Sequence, residues 1–206
     1  PEDYHGVSES CRIDQTLHSL FGASKTAGDI MVQEYGRYYG IKTGVFRGGC
    51  LTGPAHSGVE LHGFLSYLVH VAVTGKPYTI FGYKGKQVRD QLHSYDVIKA
   101  LAAFAESPKP GEVYNLGGGR GNSASILECI TLIEEIGGYR VKWSYSDKNR
   151  TGDHICYISD VRKLRTHFPQ WSISRSLPDI LAEMIDAEEF RQAPKMSIVM
   201  SASGGT

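Results

Sequence analysis

The sequence predicts an α/β protein in which amphipathic helices alternate with short strands. From Ser24 onward, apolar residues recur every three or four positions as far as Tyr38, and Gly40 follows as the left-handed stop that ends many helices. This pattern predicts a helix of about four turns with one apolar stripe. Residues 42–47 then have the composition of a short strand, so helix and strand form half of a crossover unit.

Composition excludes several partner classes. The chain has 206 residues, 41% of them hydrophobic, which is enough for a sizeable core, and 22 basic residues balance 22 acidic ones. Neither sign forms a long run, so we expect no nucleic acid partner. No apolar run approaches the roughly 20 residues of a membrane-spanning helix, so we expect no membrane partner either.

Four widely separated cysteines indicate a reducing compartment. Cys11, Cys50, Cys129 and Cys156 form neither a Cys-x-x-Cys metal motif nor a dense disulfide framework, so we expect a cytoplasmic protein without a metal site. The first residues, Pro1 to Tyr4, resemble neither a signal peptide nor a translation start, and we expect the chain to begin in mid-protein.

The middle of the chain continues the alternation. A second helix is predicted over residues 59–73, ending at Gly75, and a strand over residues 78–82. Residues 83–85 are expected to make a hairpin to a partner strand at 85–93, because that segment alternates apolar and polar positions. The next helix begins at Ser94 or Tyr95 and ends at Glu106, with Asp96 in its first turn.

The rest of the chain is predicted to contain three strands and three helices. Strands are predicted at residues 112–116, 139–145 and 154–158. Ser125 with Glu128 predicts a capping box, Asp160 a short helix reaching His167, and Ser176 a final helix from residue 177 to about 190. Residues 191–206 are a tail, read either as a short strand or as a disordered end.

The segment Phe21-Gly-Ala-Ser-Lys25 is the main candidate for chemistry. Lys25 lies four residues after Phe21, so both side chains can meet a ligand on one helix face. On spacing alone, a surface lysine and a phenylalanine staple are the simpler interpretation, and Ser24 is equally well explained as a cap. Tyr38 and Lys42 repeat the spacing across Gly40, and we interpret them as structural.

Together with the turn Val45-Phe-Arg-Gly-Gly-Cys-Leu-Thr-Gly-Pro54, this helix resembles the extended short-chain dehydrogenase/reductase family of nucleotide-sugar epimerases and dehydratases. The resemblance implies that Phe21 occupies the position of the catalytic tyrosine, and that Ser24 and Lys25 belong to the catalytic helix. It also implies that Lys25 holds the nicotinamide ribose of NAD, and that Arg47, Gly48, Gly49 and Cys50 lie on the cofactor side.

A phenyl ring has no titratable group, so the expected proton carrier is missing at position 21. The replacement candidates are His18, Cys50 and His62, and a single histidine is more often structural than catalytic.

The same resemblance assigns a substrate site. Arg89 and Arg150 would meet the diphosphate, Asp153 the nucleotide ribose, and His62 would lie near the sugar nucleotide. Taken alone, the Arg–Asp pairs could be surface ion pairs worth about 0–1 kcal/mol each. The loop Gly117-Gly118-Gly119 follows a strand, but Asn122 breaks the dinucleotide spacing, and the sequence contains no such fingerprint.

These assignments define a prediction for the whole chain. The fold would be the C-terminal part of a Rossmann-type doubly wound sheet plus a small α/β substrate-binding domain. Residues 1–58 would end the dinucleotide-binding domain, and residues 59–190 would form the substrate-binding region, with about 94–117 returning to the first domain.

The implied function is NAD-dependent epimerisation of a nucleotide-diphosphate sugar, by oxidation to a keto intermediate and re-reduction. Residues Gly85 to Asp90 and Ala23 to Asp29 look most like CDP-sugar 2-epimerases of the paratose/tyvelose type. The alternatives are a dehydratase or reductase of the same fold, or a non-catalytic sugar-nucleotide-binding protein. We expect a homodimer at full length and little activity from this polypeptide alone.

Overall fold

The computed structural model describes residues 2–13, 18–56, 63–148 and 154–202. Within these ranges lie six α-helices and eight short strands. The helices are α1 (Leu20–Tyr39), α2 (Phe64–Thr74), α3 (Ser94–Glu106), α4 (Ile126–Gly137), α5 (Arg162–His167) and α6 (Leu177–Ala202). The strands are β1 (Gly44–Gly48), β2 (Cys50–Thr52), β3 (Tyr78–Phe81), β4 (Val88–His93), β5 (Glu112–Leu116), β6 (Ser123–Ser125), β7 (Trp143–Ser146) and β8 (Cys156–Tyr157).

Strand pairing is parallel wherever its register is defined. β1 pairs with β5, from Gly44 opposite Glu112 to Gly48 opposite Leu116. β3 pairs with β7, and β4 with β8, placing Arg89 opposite Tyr157. β4 and β8 belong to a four-stranded sheet in which the other strands follow the order β2-β4-β6. Parallel pairs joined by helices are the pattern expected of the predicted α/β class.

The chain forms two compact units, each assembled from three separate stretches. Unit 1 comprises residues 1–51, 87–123 and 150–175. Its core packs Leu92, Tyr114, Leu116, Phe168 and Trp171 together. Trp171 also donates its indole N–H to the carbonyl of Asp96 over 2.9 Å, so this large buried ring leaves no unpaired donor.

Unit 2 comprises residues 52–86, 124–149 and 176–206. Helices α2, α4 and α6 supply most of its core. Four of their side chains are fully buried: Leu68, Ile133, Ile180 and Leu181. A capping box begins α4 as predicted, because Ser125 Oγ accepts from the Glu128 amide while the Glu128 carboxylate accepts from Ser125. The same bonds hold the pKa of Glu128 below its usual value.

The predicted hairpin between residues 78–82 and 85–93 is wrong. Tyr83 and Lys84 both have positive φ, of 50° and 55°, within a short 3-10 turn. The chain leaves β3 there, and β3 pairs with β7 while β4 pairs with β8. An alternating strand pattern specifies which face is buried, but it does not specify the partner strand.

Three predicted boundaries also change. α1 begins at Leu20, with Ser19 as its cap accepting from the Gly22 amide over 3.1 Å. The interpretation of Ser24 as a cap is therefore wrong; its hydroxyl donates to the Phe21 carbonyl over 2.7 Å. β7 begins at Trp143 rather than at residue 139. Helix α6 runs to Ala202, so its predicted end near residue 190 is wrong. The prediction of a strand or a disordered end is also wrong for residues 191–202.

The apolar stripe of α1 lies on the surface. Ile30, Met31, Tyr35 and Tyr38 are 48%, 57%, 48% and 79% exposed. Gly36 is the one buried residue of this fully described helix, and a Cβ there would come within 2.2 Å of the Gly111 amide nitrogen. Helix α1 therefore packs against the rest of unit 1 through the face that contains Gly36, and its aromatic face is exposed. None of the described helices is long and apolar enough to cross a bilayer.

Candidate active site

The start of α1 displays Phe21 and Lys25 side by side. Phe21 is 70% exposed, and the Lys25 ammonium lies 5.3 Å from the centre of its ring, a cation–π distance. The expectation that these two side chains share one helix face is therefore met. Among the described residues no carboxylate pairs with Lys25, so its ammonium donors can meet an approaching ligand.

The three candidates to replace the missing hydroxyl, His18, Cys50 and His62, differ in position. His18 Nε2 lies 2.6 Å from the carbonyl oxygen of Ile13, and the ring sits beside Gly22, next to Phe21 in the chain. Cys50 is half-buried at the start of β2. His62 lies outside the described residues. A catalytic role for any of the three stays a prediction.

Arg47 is anchored rather than free. Its guanidinium binds both carboxylate oxygens of Asp29 on α1, at 2.8 and 3.1 Å, and donates to the Glu9 carbonyl at 3.1 Å. The bond to Asp29 raises the pKa of Arg47 further above its usual value. This pair joins β1 to α1 and to the N-terminal segment. The predicted contact of Arg47 with the cofactor stays a prediction. To make that contact, the guanidinium would have to bind the cofactor as well as Asp29 and Glu9.

Asp90 forms the second anchor and is completely buried. Its Oδ2 accepts from the amide of Gly119 at 2.9 Å and from the amide of Ser159 at 3.0 Å. Its Oδ1 has no hydrogen-bond partner among the described residues. Backbone donors are the usual way to satisfy a buried carboxylate, because they supply dipoles already fixed by the fold. Asp90 therefore connects β4 by hydrogen bonds to two loops that are distant in sequence, at Gly119 and at Ser159.

Glycines allow these loops to approach Asp90. A Cβ on Gly117 would lie 2.3 Å from Asp90 Oδ2 and 2.2 Å from Ser159 Oγ, and one on Gly49 would lie 2.9 Å from Asp90 Oδ1. Gly118 packs as tightly, since a Cβ there would come within 2.0 Å of the Gln91 carbonyl oxygen. The triple glycine thus allows this loop to pack against β4. Because its spacing does not match a dinucleotide-binding motif, close packing is the simplest explanation for these glycines.

Arg89 precedes Asp90 on β4 and is half-buried. Its guanidinium donates to the carbonyls of Val88 at 2.7 Å and His154 at 2.5 Å. Both acceptors are backbone carbonyls. Arg150 and Asp153, the other predicted substrate contacts, lie outside the described residues, and the assignment of all three stays a prediction.

The buried phenols of unit 1 do not replace the missing tyrosine as phenolates. Burial raises the pKa of Tyr114 to about 12, and its hydroxyl lies 2.9 Å from His167 Nδ1. Burial likewise raises the pKa of Tyr157 on β8. Both groups therefore stay protonated near neutral pH.

Comparison with known proteins identifies the class. The model of the NAD dependent epimerase/dehydratase family matches residues 4–117, more than half of the chain, and the chain belongs to this family. The resemblance to extended short-chain epimerases and dehydratases is thereby confirmed.

Individual relatives agree with that class. The chain is 33% identical over 189 residues to CDP-paratose 2-epimerase from Salmonella typhi, covering 88% of this chain and 54% of the relative. It is 28% identical over 172 residues to UDP-glucuronate 4-epimerase from Thermodesulfobacterium geofontis, covering 82% and 51%. The chain thus spans about half the length of these curated relatives.

Solved structures confirm the predicted fold class. UDP-glucuronic acid 4-epimerase from Bacillus cereus, in complex with UDP-glucuronic acid and NAD, gives a TM-score of 0.74 at 28% identity, covering 92% of this chain and 59% of that chain. MoeE5 in complex with UDP-glucose and NAD gives 0.75 at 26% identity, covering 93% and 61%. The chain therefore has the fold of the corresponding part of these proteins.

The packing around Asp90 can be tested with two alanine substitutions in one loop. Gly117→Ala should destabilise the protein by about 1–3 kcal/mol, because the new methyl group overlaps Asp90 and Ser159. Gly121→Ala is the matched control, since nothing lies within 4 Å of its Cβ position. Urea unfolding measures both. Equal stability of the two variants would contradict the account of this loop.

Proposed function

We propose that this chain is the part of an NAD-dependent nucleotide-sugar epimerase that supplies its catalytic helix and its substrate contacts. The observation that supports it best is the exposed face of α1, where Lys25 lies beside the ring of Phe21 without a carboxylate partner among the described residues. Membership of the epimerase/dehydratase family gives that face its chemical context.

The residues present fit one end of an NAD molecule. The exposed ammonium of Lys25 suits hydrogen bonding to ribose hydroxyls, and the end of β1 and the residue after it, Gly48 and Gly49, have no side-chain bulk. When bound, NAD supplies reversible oxidation of a sugar hydroxyl. The glycine fingerprint for its diphosphate is not among the 206 residues, so we place that contact elsewhere in the longer protein.

We assign the substrate contacts to the chain's own charged groups. Arg89, together with Arg150, would pair with the diphosphate, because a planar guanidinium matches two phosphate oxygens. Asp153 would accept hydrogen bonds from the ribose diol, and His62 would lie near the sugar. The match of the family model to residues 4–117, which include Arg89, supports its share of this assignment.

Proton transfer requires a group other than Phe21. A tyrosine in this position could exchange a proton with a sugar hydroxyl, whereas a phenyl ring offers only a cation–π surface to Lys25. Among His18, Cys50 and His62 we propose His18, and the position of its ring beside Gly22 at the start of α1 supports this choice. A non-catalytic sugar-nucleotide-binding protein is the second candidate function, and the phenyl ring at position 21 is the observation that favours it.

Turnover by the full-length protein that contains this chain tests the proposal. Incubation with NAD⁺ and a panel of CDP- and UDP-sugars should give an epimer without net NADH, and Lys25→Ala should lower kcat about 10²–10³-fold. Lys42→Ala is the matched control, because Lys42 is exposed beyond the end of α1. Residues 1–206 alone should turn over little substrate.

Other outcomes would identify the rival functions. A lasting ketosugar or a dehydrated product indicates a reductase or dehydratase, and tight binding without conversion indicates the non-catalytic protein. Phe21→Tyr separates two mechanisms: a gain in kcat means that no other residue replaces the hydroxyl, whereas unchanged kcat means that one does.

We propose that the full-length protein is a cytoplasmic homodimer whose interface includes the exposed stripe of α1. Ile30, Met31, Tyr35, Tyr38 and Tyr39 line a shallow, mostly apolar groove along this helix. An exposed apolar surface of this kind is typical of protein–protein contacts. The four cysteines are free, which supports a reducing compartment.

A charge placed in this groove should disrupt the dimer. Met31→Glu buries an uncompensated carboxylate at the proposed interface, so sedimentation velocity should show monomers where the wild type shows dimers. Ile136→Glu is the matched control, because Ile136 is 38% exposed on α4, outside the groove. A wild-type monomer at every concentration, or a dimer that survives Met31→Glu, would contradict the proposal.

A further inference from the structure

A cavity of about 360 Å³ lies within unit 1, beside the triple glycine. The loop containing Gly119 and Arg120 forms one wall, and the segment from Ser159 into α5 forms another. His5, from the N-terminal segment, completes the lining. Among the predicted site residues that the structure describes, from Phe21 to Arg89, none lines it.

Cationic side chains dominate this cavity. Arg120, Arg162 and Arg165 all line it, and Asp160 is the one carboxylate among its described lining residues. Asp160 is already paired with Arg162, at 2.7 Å between Oδ2 and Nη2. In this described lining, three guanidinium groups against one carboxylate leave an excess of two positive charges.

Two of the guanidinium groups remain available to a ligand. Arg120 stacks on the Tyr4 ring at 4.4 Å and donates one hydrogen bond, of 3.3 Å, to the Tyr4 carbonyl. This stacking fixes its plane and leaves further N–H donors. Arg165, on α5, has no carboxylate within ion-pair distance among the described residues. Uncancelled guanidinium groups around one concave site attract an anion.

The size and the positive charge of the site fit a phosphate group. Guanidinium groups pair bidentately with phosphate oxygens, and more than one is needed to match two phosphate charges. A volume of about 360 Å³ is within the range of about 300–1,000 Å³ typical of small-molecule pockets. Gly121 leaves open space beside the loop, where a Cβ would meet nothing within 4 Å.

We propose that this cavity binds the phosphate group of a small phosphorylated molecule, through Arg120 and Arg165, as a second anion site separate from the proposed sugar-nucleotide contacts. Arg162 is held in place by Asp160 and adds positive charge without needing to turn toward the ligand. The inference does not rest on the proposed epimerase function, because it uses none of Lys25, Arg89, Arg150 or Asp153.

Titration with inorganic phosphate and with pyrophosphate tests this site. Two-dimensional NMR of the ¹⁵N-labelled protein should show saturable shifts of the Gly119 and Gly121 amides. The Arg120→Gln/Arg165→Gln double variant should weaken binding by at least about tenfold, since it removes both charged donors. Both side chains are exposed, so the variant should keep the wild-type melting temperature. Each single variant should show an intermediate loss.

Two controls separate this site from other anion sites. Arg140→Gln removes an exposed arginine of unit 2 and should leave the titration unchanged. Arg89→Gln should also leave the Gly119 and Gly121 shifts unchanged while weakening any sugar-nucleotide binding. The proposal is overturned if phosphate gives no saturable shifts at these amides, if the double variant binds as tightly as the wild type, or if Arg140→Gln weakens binding equally.

Discussion

The buried carboxylate of Asp90 joins the three separate stretches of chain that build unit 1. It lies on β4 in the second stretch and accepts hydrogen bonds from the amides of Gly119, in the same stretch, and Ser159, in the third. Gly49, in the first stretch, packs closely against it, since a Cβ there would lie 2.9 Å from Asp90 Oδ1. A buried carboxylate is costly to desolvate, so its backbone donors must be held in place for the unit to fold. The ends of β1 and β5 therefore meet β4 at a fixed position.

Helix α1 depends on a second anchored charge. The bidentate pair of Arg47 with Asp29 connects α1 to β1, and the close approach of Gly36 to Gly111 fixes the other end of the helix. Phe21 and Lys25 precede both points and project from the first turns of α1 into solvent. The fold thus anchors the helix downstream of the exposed face to which the family resemblance assigns chemistry.

Local signals in the sequence predicted local structure well. Gly40 and Gly75 end α1 and α2 in the left-handed conformation, and Ser125 with Glu128 forms the predicted capping box. Each of these features depends on residues within one helical turn, so spacing alone reveals it. The strand at residues 112–116 also has its predicted bounds.

Long-range features could not be read in the same way. The pairing of β3 with β7 joins residues more than sixty positions apart, and the alternating pattern of residues 85–93 suits any partner strand. The anchoring role of Asp90 depends on Ser159, and that of Arg47 on Asp29, neither of which is visible from neighbours in sequence. The apolar stripe of α1 predicted a helix correctly, but a stripe does not say whether the core or another chain covers it.

The proposed function combines these levels. The chain belongs to the NAD dependent epimerase/dehydratase family, and we propose that Phe21 occupies the position of that family's catalytic tyrosine. The anchored charges of Asp90 and Arg47 explain how the surrounding residues are held. The central claim is that residues 1–206 contain the sugar-nucleotide contacts of the proposed epimerase.

Calorimetric titration of residues 1–206 with UDP-glucose and CDP-glucose, without NAD, tests that claim most directly. The account predicts saturable binding of at least one of them, weakened about tenfold or more in Arg89→Gln and unchanged in Arg140→Gln. Absence of binding to either nucleotide sugar, or equal binding by the wild type and Arg89→Gln, would contradict it.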